Sequence, residues 1–404
     1  MNKRFFFPVL LIVMLLLSGC HLPTPQSAAP SATPSPTALP PTPIPPTATS
    51  PEASPVVSAP VPLPIGDIAM FADGSGWGAS QEGNRVFHSA DGALTWADVT
   101  PPLESGDSAS HFFLDGKTAW LNLSRIETSS DLYATYDSGA SWSHVSLDFP
   151  GGALYFLDAT RGFLLSDLGV GAGSNYVALY YTADGGQTWQ QRFAHTPGQG
   201  ETSLPAGGIK NGLSFLDEYI GWVTGSAPIS DALYLYGTIN SGTSWFQQGC
   251  TGLPVGAGGS FFEPQPVIPL GSGVLLLPMR AMAGMDSLLM YYCQSDDRGQ
   301  SWHFVSQFSA QTQQTSVASD LSALAFGEDR LFSSLDGGLT WQDISAALPA
   351  GMLILDAERL DVNVGYLVVT DANTLEIDQN FIYKTTDGGQ TWSPLPALVL
   401  EPSS

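Results

Sequence analysis

One eight-residue phrase recurs seven times along this 404-residue chain. Each copy reads Ser or Thr, a variable residue, Asp, two residues of which the second is usually Gly, another variable residue, Ser or Thr, and Trp. The seven run from Asp91 to Trp96, Asp137 to Trp142, Asp184 to Trp189, Asn240 to Trp245, Asp297 to Trp302, Asp336 to Trp341 and Asp387 to Trp392. Successive tryptophans lie 46, 47, 56, 57, 39 and 51 residues apart. That period is the length of one four-stranded propeller blade, so seven copies predict an all-β, seven-bladed β-propeller. The predicted blades are 65–100, 101–146, 147–194, 195–250, 251–306, 307–345 and 346–400.

The chemistry of the phrase is that of a tight hairpin. Short apolar runs precede it, such as Ala178 to Tyr181 and Phe381 to Tyr383, and a further extended run follows. The Asp accepts from nearby backbone N–H groups, the Gly permits positive φ, and the hydroxyl residues close the loop. The Trp folds back over the hairpin. At about 25 cal/mol per Å² and roughly 150–250 Å² of aromatic surface, each ring is worth several kcal/mol at most. Asn240 in the fourth copy and Ala93 in the first depart from the pattern, and these two hairpins are expected to be the loosest. No copy has the alternating carboxylates of a calcium loop.

A second motif precedes the phrase: Phe-x-Asp, a short turn, then Gly or Ala followed by an aromatic residue. It occurs at Phe71–Asp73 with Gly76-Trp77, Phe113–Asp115 with Ala119-Trp120, Phe156–Asp158 with Gly162-Phe163, and Phe215–Asp217 with Gly221-Trp222, with an echo at Gly365-Tyr366. These mark the first two strands of a blade, and the Asp residues read as turn caps.

The repeated phrase resembles the Asp-box, or BNR, repeat of sialidases, sortilin-type receptors, some endoglucanases and the photosystem II stability and assembly factors. The resemblance covers about 65 to 400, and the pairing of Phe-x-Asp with Gly-Trp is most similar to the assembly factors. In those families the box joins the third and fourth strands at the periphery, which implies a structural role for all fourteen box residues named above. The assembly-factor likeness implies a binding protein that escorts a membrane complex. Those factors are thought to use a basic surface, and this chain departs from that.

The N-terminus carries its own signature. Lys3 and Arg4 precede an apolar run from Phe5 to Leu17 and then Leu17-Ser18-Gly19-Cys20. This resembles a bacterial lipoprotein signal over 1–19, with Cys20 as the lipid-bearing residue of the mature chain. Residues 20–64 form a Pro/Thr/Ser-rich linker unable to build a core. In polyproline II form at about 3.1 Å per residue, it reaches on the order of 100 Å from a membrane. The expectation is a propeller outside the cytoplasm, lipid-anchored to the outer side of a bacterial membrane.

Of 13 Lys and Arg, the leader holds two, leaving 11 against 37 Asp and Glu. Such a charge disfavours nucleic acid and anionic lipid as partners. Two cysteines remain after Cys20. An oxidising compartment favours a Cys250–Cys293 disulfide, whereas their order relative to the boxes puts them near opposite faces and weighs against one.

Strand-order logic places the boxes and the strand one-to-two turns on one face. Extra chain length falls on the other, at 122–131, 167–176, 225–233, 279–288 and 371–380, with connectors 194–209 and 250–264. Binding is expected there. Arg85, Arg125 and Arg280 would fall on that face as a sialidase would require, but no Phe-Arg-Ile-Pro segment precedes the first box and no Tyr nucleophile with a Glu partner is evident. Glu127, Asp167, Glu201, Asp371, Glu376 and Asp378 are the acids from which a glycoside hydrolase would draw. The six histidines show no metal-ligand spacing, and no phosphate loop or nucleophile elbow is present. No metal or cofactor is expected. The sequence thus points to a monomeric, non-catalytic binding or scaffolding module for a protein or glycan at the cell surface, with a glycoside hydrolase, endoglucanase-like before sialidase, as the alternative.

Overall fold

The computed structural model describes residues 61–400, apart from 104–105, 107, 126–127, 172, 201, 255–259, 284–286, 310–313 and 375–378. It is an all-β ring of seven sheets. The blades span 67–98, 108–147, 152–195, 209–247, 261–309, 314–343 and 352–394. Within each, successive strands pair antiparallel, except that in blade 5 the short strands Phe261–Pro264 and Ile268–Gly271 both pair with Val274–Ala283. The first strands line the axis and bond to one another across blades. Ser110 Oγ of blade 2 donates to Gly152 O of blade 3 at 2.7 Å, the Arg359 N–H of blade 7 to Ser316 Oγ of blade 6 at 2.9 Å, and the Ile68 N–H of blade 1 to Asp356 Oδ2 of blade 7 at 2.9 Å.

The box builds the same lattice in every blade. In blade 3, Asp184 Oδ1 accepts the Thr188 N–H at 2.9 Å and Oδ2 accepts the Thr188 hydroxyl at 2.6 Å. Thr182 Oγ1 donates to Asp184 Oδ1 at 2.8 Å and accepts the Gly186 N–H at 2.9 Å. Asn240 keeps this arrangement: its Oδ1 accepts the Ser244 N–H at 3.0 Å, and its Nδ2 donates to Ser244 Oγ at 2.8 Å. The expected loosening there is absent because an amide supplies an acceptor and a donor where a carboxylate supplies two acceptors. In all seven blades the residue after the box Asp or Asn donates its N–H to the strand one-to-two turn, as Gly92 does to Gly74 O and Gly185 to Thr160 O, both at 2.7 Å. The two kinds of turn therefore share a face.

The central box Gly has two reasons to lack a side chain. Its φ is positive, 96° at Gly186 and 82° at Gly299. A Cβ would also strike the preceding blade, 2.5 Å from Leu132 at Gly186 and 2.0 Å from Trp222 at Gly299. Ala93 is the exception. It holds φ at 70°, and its fully buried methyl fills the seam with Tyr366 and Val368 of blade 7. The first hairpin is locally strained at that backbone, yet it is packed and not loose.

The second motif joins neighbouring blades. Trp120 stacks on Phe156 at 3.5 Å, Phe163 on Phe215 at 3.5 Å, and Trp77 on Phe113 at 5.6 Å. The Gly before the aromatic residue is needed within its own blade, since a Cβ on Gly162 would lie 2.4 Å from the Phe156 ring. The Asp residues cap their turns as expected: Asp158 Oδ1 accepts the Thr160 and Arg161 N–H groups at 2.9 and 2.8 Å. Asp320 and Asp361 do the same in blades 6 and 7.

The ring closes at both termini of the described chain. Leu398–Leu400 adds a fifth strand to blade 1, parallel to Thr95–Asp98. Leu63 bridges Asn380 of blade 7 through reciprocal backbone bonds of 2.7 and 2.9 Å. Leu63 and Ile65 are buried in the same seam, so Leu63, expected within the linker, packs as part of the ring. Residues 1–60, with the signal, Cys20 and most of the linker, lie outside the described residues.

Blade 5 repeats the closing manoeuvre. Cys250–Thr251 leaves blade 4 and pairs parallel with Trp302–Ser309, Cys250 opposite Trp302. Cys250 and Cys293 form a disulfide with a Cα separation of 6.3 Å. The inference that they lie near opposite faces fails because the fourth strand of blade 4, Phe246–Gln247, is only two residues long. The chain is still close to the box face when it crosses over.

Candidate functional site at the channel mouth

The face opposite the boxes is where extra length was expected to form loops, and much of it is paired strand. The segment 167–176 lies largely in a hairpin of Gly162–Gly171 with Ser174–Thr182, and 279–288 in one of Val274–Ala283 with Ser287–Ser295. Residues this close to a turn satisfy their backbone groups most simply by extending the ladder.

On this face the axial channel opens into a cavity of about 600 Å³. Blade 1 supplies Gly66 and Asp67 at the start of its first strand, and Ser80 to Gly83 from its strand two-to-three turn. Ala109, Ser110 and His111 come from blade 2, Ala153 and Leu154 from blade 3, and Leu355 from blade 7. His111 Nε2 meets Asp67 Oδ2 at 3.0 Å, joining blades 1 and 2. Asp356, one residue inward from Leu355, accepts the Ile68 N–H and is not part of the cavity wall.

The electrostatics of the channel follow from this crowding. Burial, then the neighbouring Asp67 charge, pushes the Asp356 carboxyl up to about 7. Burial with Asp356 and Asp67 nearby raises Glu358 well above the carboxylate range. For His111 burial opposes protonation, but the Asp67 and Asp356 charges more than offset it, and its pKa is raised. The box carboxylates behave oppositely. Hydrogen bonds from the Ser301 and Thr391 hydroxyls and N–H groups hold Asp297 and Asp387 at about 2.

A linkage consequence can be measured. A carboxyl raised in the folded state contributes stability that is present below its unfolded value near 4 and lost as pH rises through about 7. His111 adds a loss of the same sign above its unfolded value of 6.5. The box carboxylates act only in strong acid, their contribution vanishing as pH falls through about 2. Denaturant midpoints are thus expected to be lower at pH 8 than at pH 5, with the gap narrowed by Asp356→Asn, whose Oδ1 still accepts from Ile68. An unchanged gap would remove Asp356 as the cause.

Among the described residues, those weighed for catalysis do not converge. Arg85 pairs with Asp98 at 2.8 Å, Arg125 with Asp131 at 2.5 Å, and Arg280 donates through Nε to Glu263 at 2.8 Å. They stand on blades 1, 2 and 5, each held by an acid of its own blade. Asp167 and Asp371 cap turns, accepting the Gly169 N–H at 2.9 Å and the Asn373 N–H at 2.8 Å. Glu127, Glu201, Glu376 and Asp378 lie outside the described residues. His88 and His195 bond to the carbonyls of Gly116 and Leu204 at 2.8 and 3.0 Å, and His144 to Asp131 at 2.9 Å. Among the described residues no group of three His, Cys, Asp or Glu is arranged to hold a metal. Sequence reasoning missed Asp67, His111, Asp356 and Glu358. Their signal, an acid or His within a first strand, is visible only once the first strands are known to share one axis.

The BNR/Asp-box repeat model matches residues 180–191 and 383–394. No curated protein sequence matches the chain. Among solved structures, YCF48 bound to D1 peptide is similar at 16% identity over 81% of this chain and 94% of that one, with a TM-score of 0.51. YCF48 from Cyanidioschyzon merolae is similar at 13% identity over 81% and 97%, with a TM-score of 0.53. The GH74 xyloglucanase from Xanthomonas campestris is similar at 14% identity over 84% of this chain, with a TM-score of 0.52, and the chain spans 54% of its length. At these identities the likeness is one of fold. The chain carries BNR/Asp-box repeats and is a seven-bladed β-propeller.

Proposed function

We propose that this chain is a non-catalytic binding module for a protein partner, held outside the cytoplasm by a lipid on Cys20, and that it recognises its partner at the channel mouth. The observation carrying this reading is the composition of the cavity wall. Its titratable groups among the described residues are Asp67, Glu82 and His111, and Asp67 is already engaged by His111. That wall offers hydrogen bonds and charge over an apolar base, the make-up of a recognition site. A propeller of the same fold, YCF48, has a structure with a bound peptide, which supports a peptide or protein as the class of partner.

A glycoside hydrolase is the second reading, and one observation favours it. Asp356, raised to about 7 beside Asp67, has the contrast of a general acid and its companion carboxylate. Its position argues against the role, since one oxygen is held by Ile68 and the group sits inward of the wall. The full chain in detergent is expected to release no product from sialosides, xyloglucan or other β-glucans. Hydrolysis that vanishes in Asp67→Asn or Asp356→Asn alone would overturn the binding-module reading.

The anchor is tested separately. Cys20→Ser is expected to move the protein from the membrane to the soluble fraction with an unchanged melting curve. A variant as firmly membrane-bound as the parent would end the lipoprotein reading.

A further inference from the structure

We propose that the outer edge of blade 2 takes up an extended segment of a protein partner as a fifth strand, away from the channel mouth and independent of what binds there. The ring itself supplies the precedent. Leu398–Leu400 lies parallel to the fourth strand of blade 1 with Val399 opposite Trp96, and Cys250–Thr251 lies parallel to that of blade 5 with Cys250 opposite Trp302. In both blades the added residue packs in the same apolar cluster as the box Trp, which is 0% and 1% exposed. Trp142, the box Trp of blade 2, is only half-buried.

The remaining outer edges are short or blunted. Those of blades 4, 6 and 7 are two residues long, and blade 7 places Pro394 there. Blade 3 carries a bulge at Arg192 within Gln190–His195. Blade 2 keeps five residues, Ser143–Leu147, in unbroken register with its third strand and without Pro, Lys or a bulge, so the devices that protect an edge from strand addition are missing. The connector entering this blade carries Pro101-Pro102, which have no N–H to give to a ladder. The repeat also shows which backbone groups are free. In blades 1, 4, 6 and 7 the third residue after the box Trp donates its N–H inward, as Val99 does to Val86 O at 3.0 Å and Leu395 to Ile382 O at 2.8 Å. Val145 holds that position opposite Leu132. His144 and Ser146 therefore turn their N–H and C=O outward, where no group among the described residues meets them.

The surroundings specify the added segment. An apolar residue opposite Trp142 would extend the packing of Trp142 with Val99 and Leu103, as Val399 and Cys250 extend theirs. Asp137 before the strand and Asp148 after it are exposed, while Arg125 of the same blade is taken by Asp131. Lysine or arginine at the ends of the segment complements that charge, and main-chain bonds supply the rest of the affinity.

The test uses the full chain in detergent and the capped heptapeptide Lys-Thr-Val-Thr-Val-Thr-Lys, with binding followed by calorimetry. The peptide is expected to bind, and the same peptide with Glu at both ends to bind more weakly. His144→Ala and His144→Pro both remove the imidazole, but only proline removes the outward N–H, and Pro394 stands at the equivalent position of blade 7. His144→Pro is expected to weaken the peptide at least about fivefold relative to His144→Ala, as loss of a hydrogen bond does. In the parent, the amides of His144 and Ser146 are expected to exchange more slowly when peptide is added, a reading that holds even if His144→Pro fails to fold. No binding, equal binding by the two variants, or unchanged exchange at both amides would each overturn the proposal. Equal binding of the Glu-ended peptide would overturn the basic-ended class of partner. A dimer of the free chain that His144→Pro dissociates would assign the edge to a second copy instead.

Discussion

Replacing Trp302 by alanine is expected to destabilise the propeller by about 3–5 kcal/mol, the range for truncating a large aromatic side chain in a core. Trp302 is 1% exposed and ties three elements together. Its ring meets Trp222 of blade 4 edge-on at 6.0 Å. Its Nε1 donates to Gln248 Oε1 at 3.2 Å, the same oxygen that accepts the Trp222 Nε1–H at 2.9 Å. Gln248 in turn donates to Gly299 O at 2.6 Å, within the box of blade 5. Alanine would open a cavity and leave this polar chain incomplete, so the loss exceeds that of apolar area alone. Trp189 and Trp392 sit in the same sequence position but are only half-buried, and their alanine variants are expected to cost less. Chemical denaturation of the three variants checks the order. Equal losses would mean that the box tryptophan acts only within its own hairpin.

Removing the Cys250–Cys293 disulfide by a double alanine substitution is expected to cost a similar amount. The bridge closes 43 residues, for which restriction of the unfolded chain corresponds to about 4 kcal/mol in the chain-entropy description. The closed segment contains the first three strands of blade 5 up to Cys293 and the crossover from blade 4. It therefore pins an internal seam where a connecting segment, Cys250–Thr251, joins the next blade as an added outer strand. Reductant is expected to lower the denaturant midpoint of the parent and leave that of the double variant unmoved. Coincident midpoints for oxidised and reduced parent would show that the bridge adds nothing.

Much of this architecture was legible in the residues. Asp, Gly, hydroxyl and Trp at fixed spacing specify a hairpin through contacts only a few residues long, and local chemistry of that kind is encoded where it acts. Seven copies then set the number of blades, because each unit buries its apolar faces on its neighbours. The Phe-x-Asp and Gly-aromatic pairs were recognisable as strand markers too, but their stacking from one blade to the next, Trp120 on Phe156 and Phe163 on Phe215, was not.

Other features required the closed ring. Whether Cys250 could reach Cys293 turned on a two-residue fourth strand and on where the chain crossed to the next blade. The seam between blades 7 and 1 draws on Leu63, Asn380 and Leu398, residues more than 300 positions apart at its extremes. Asp67, His111 and Asp356 show no common motif, since nothing in their local sequence records that the first strands of blades 1, 2 and 7 meet at one axis. The sequence by itself determined the repeat, its hairpin and the fold class, which depend on short-range hydrogen bonding and periodic burial. The tertiary structure decided the closure, the disulfide and the charge of the channel mouth, because these arise from side chains whose proximity and desolvation exist only after the ring has formed.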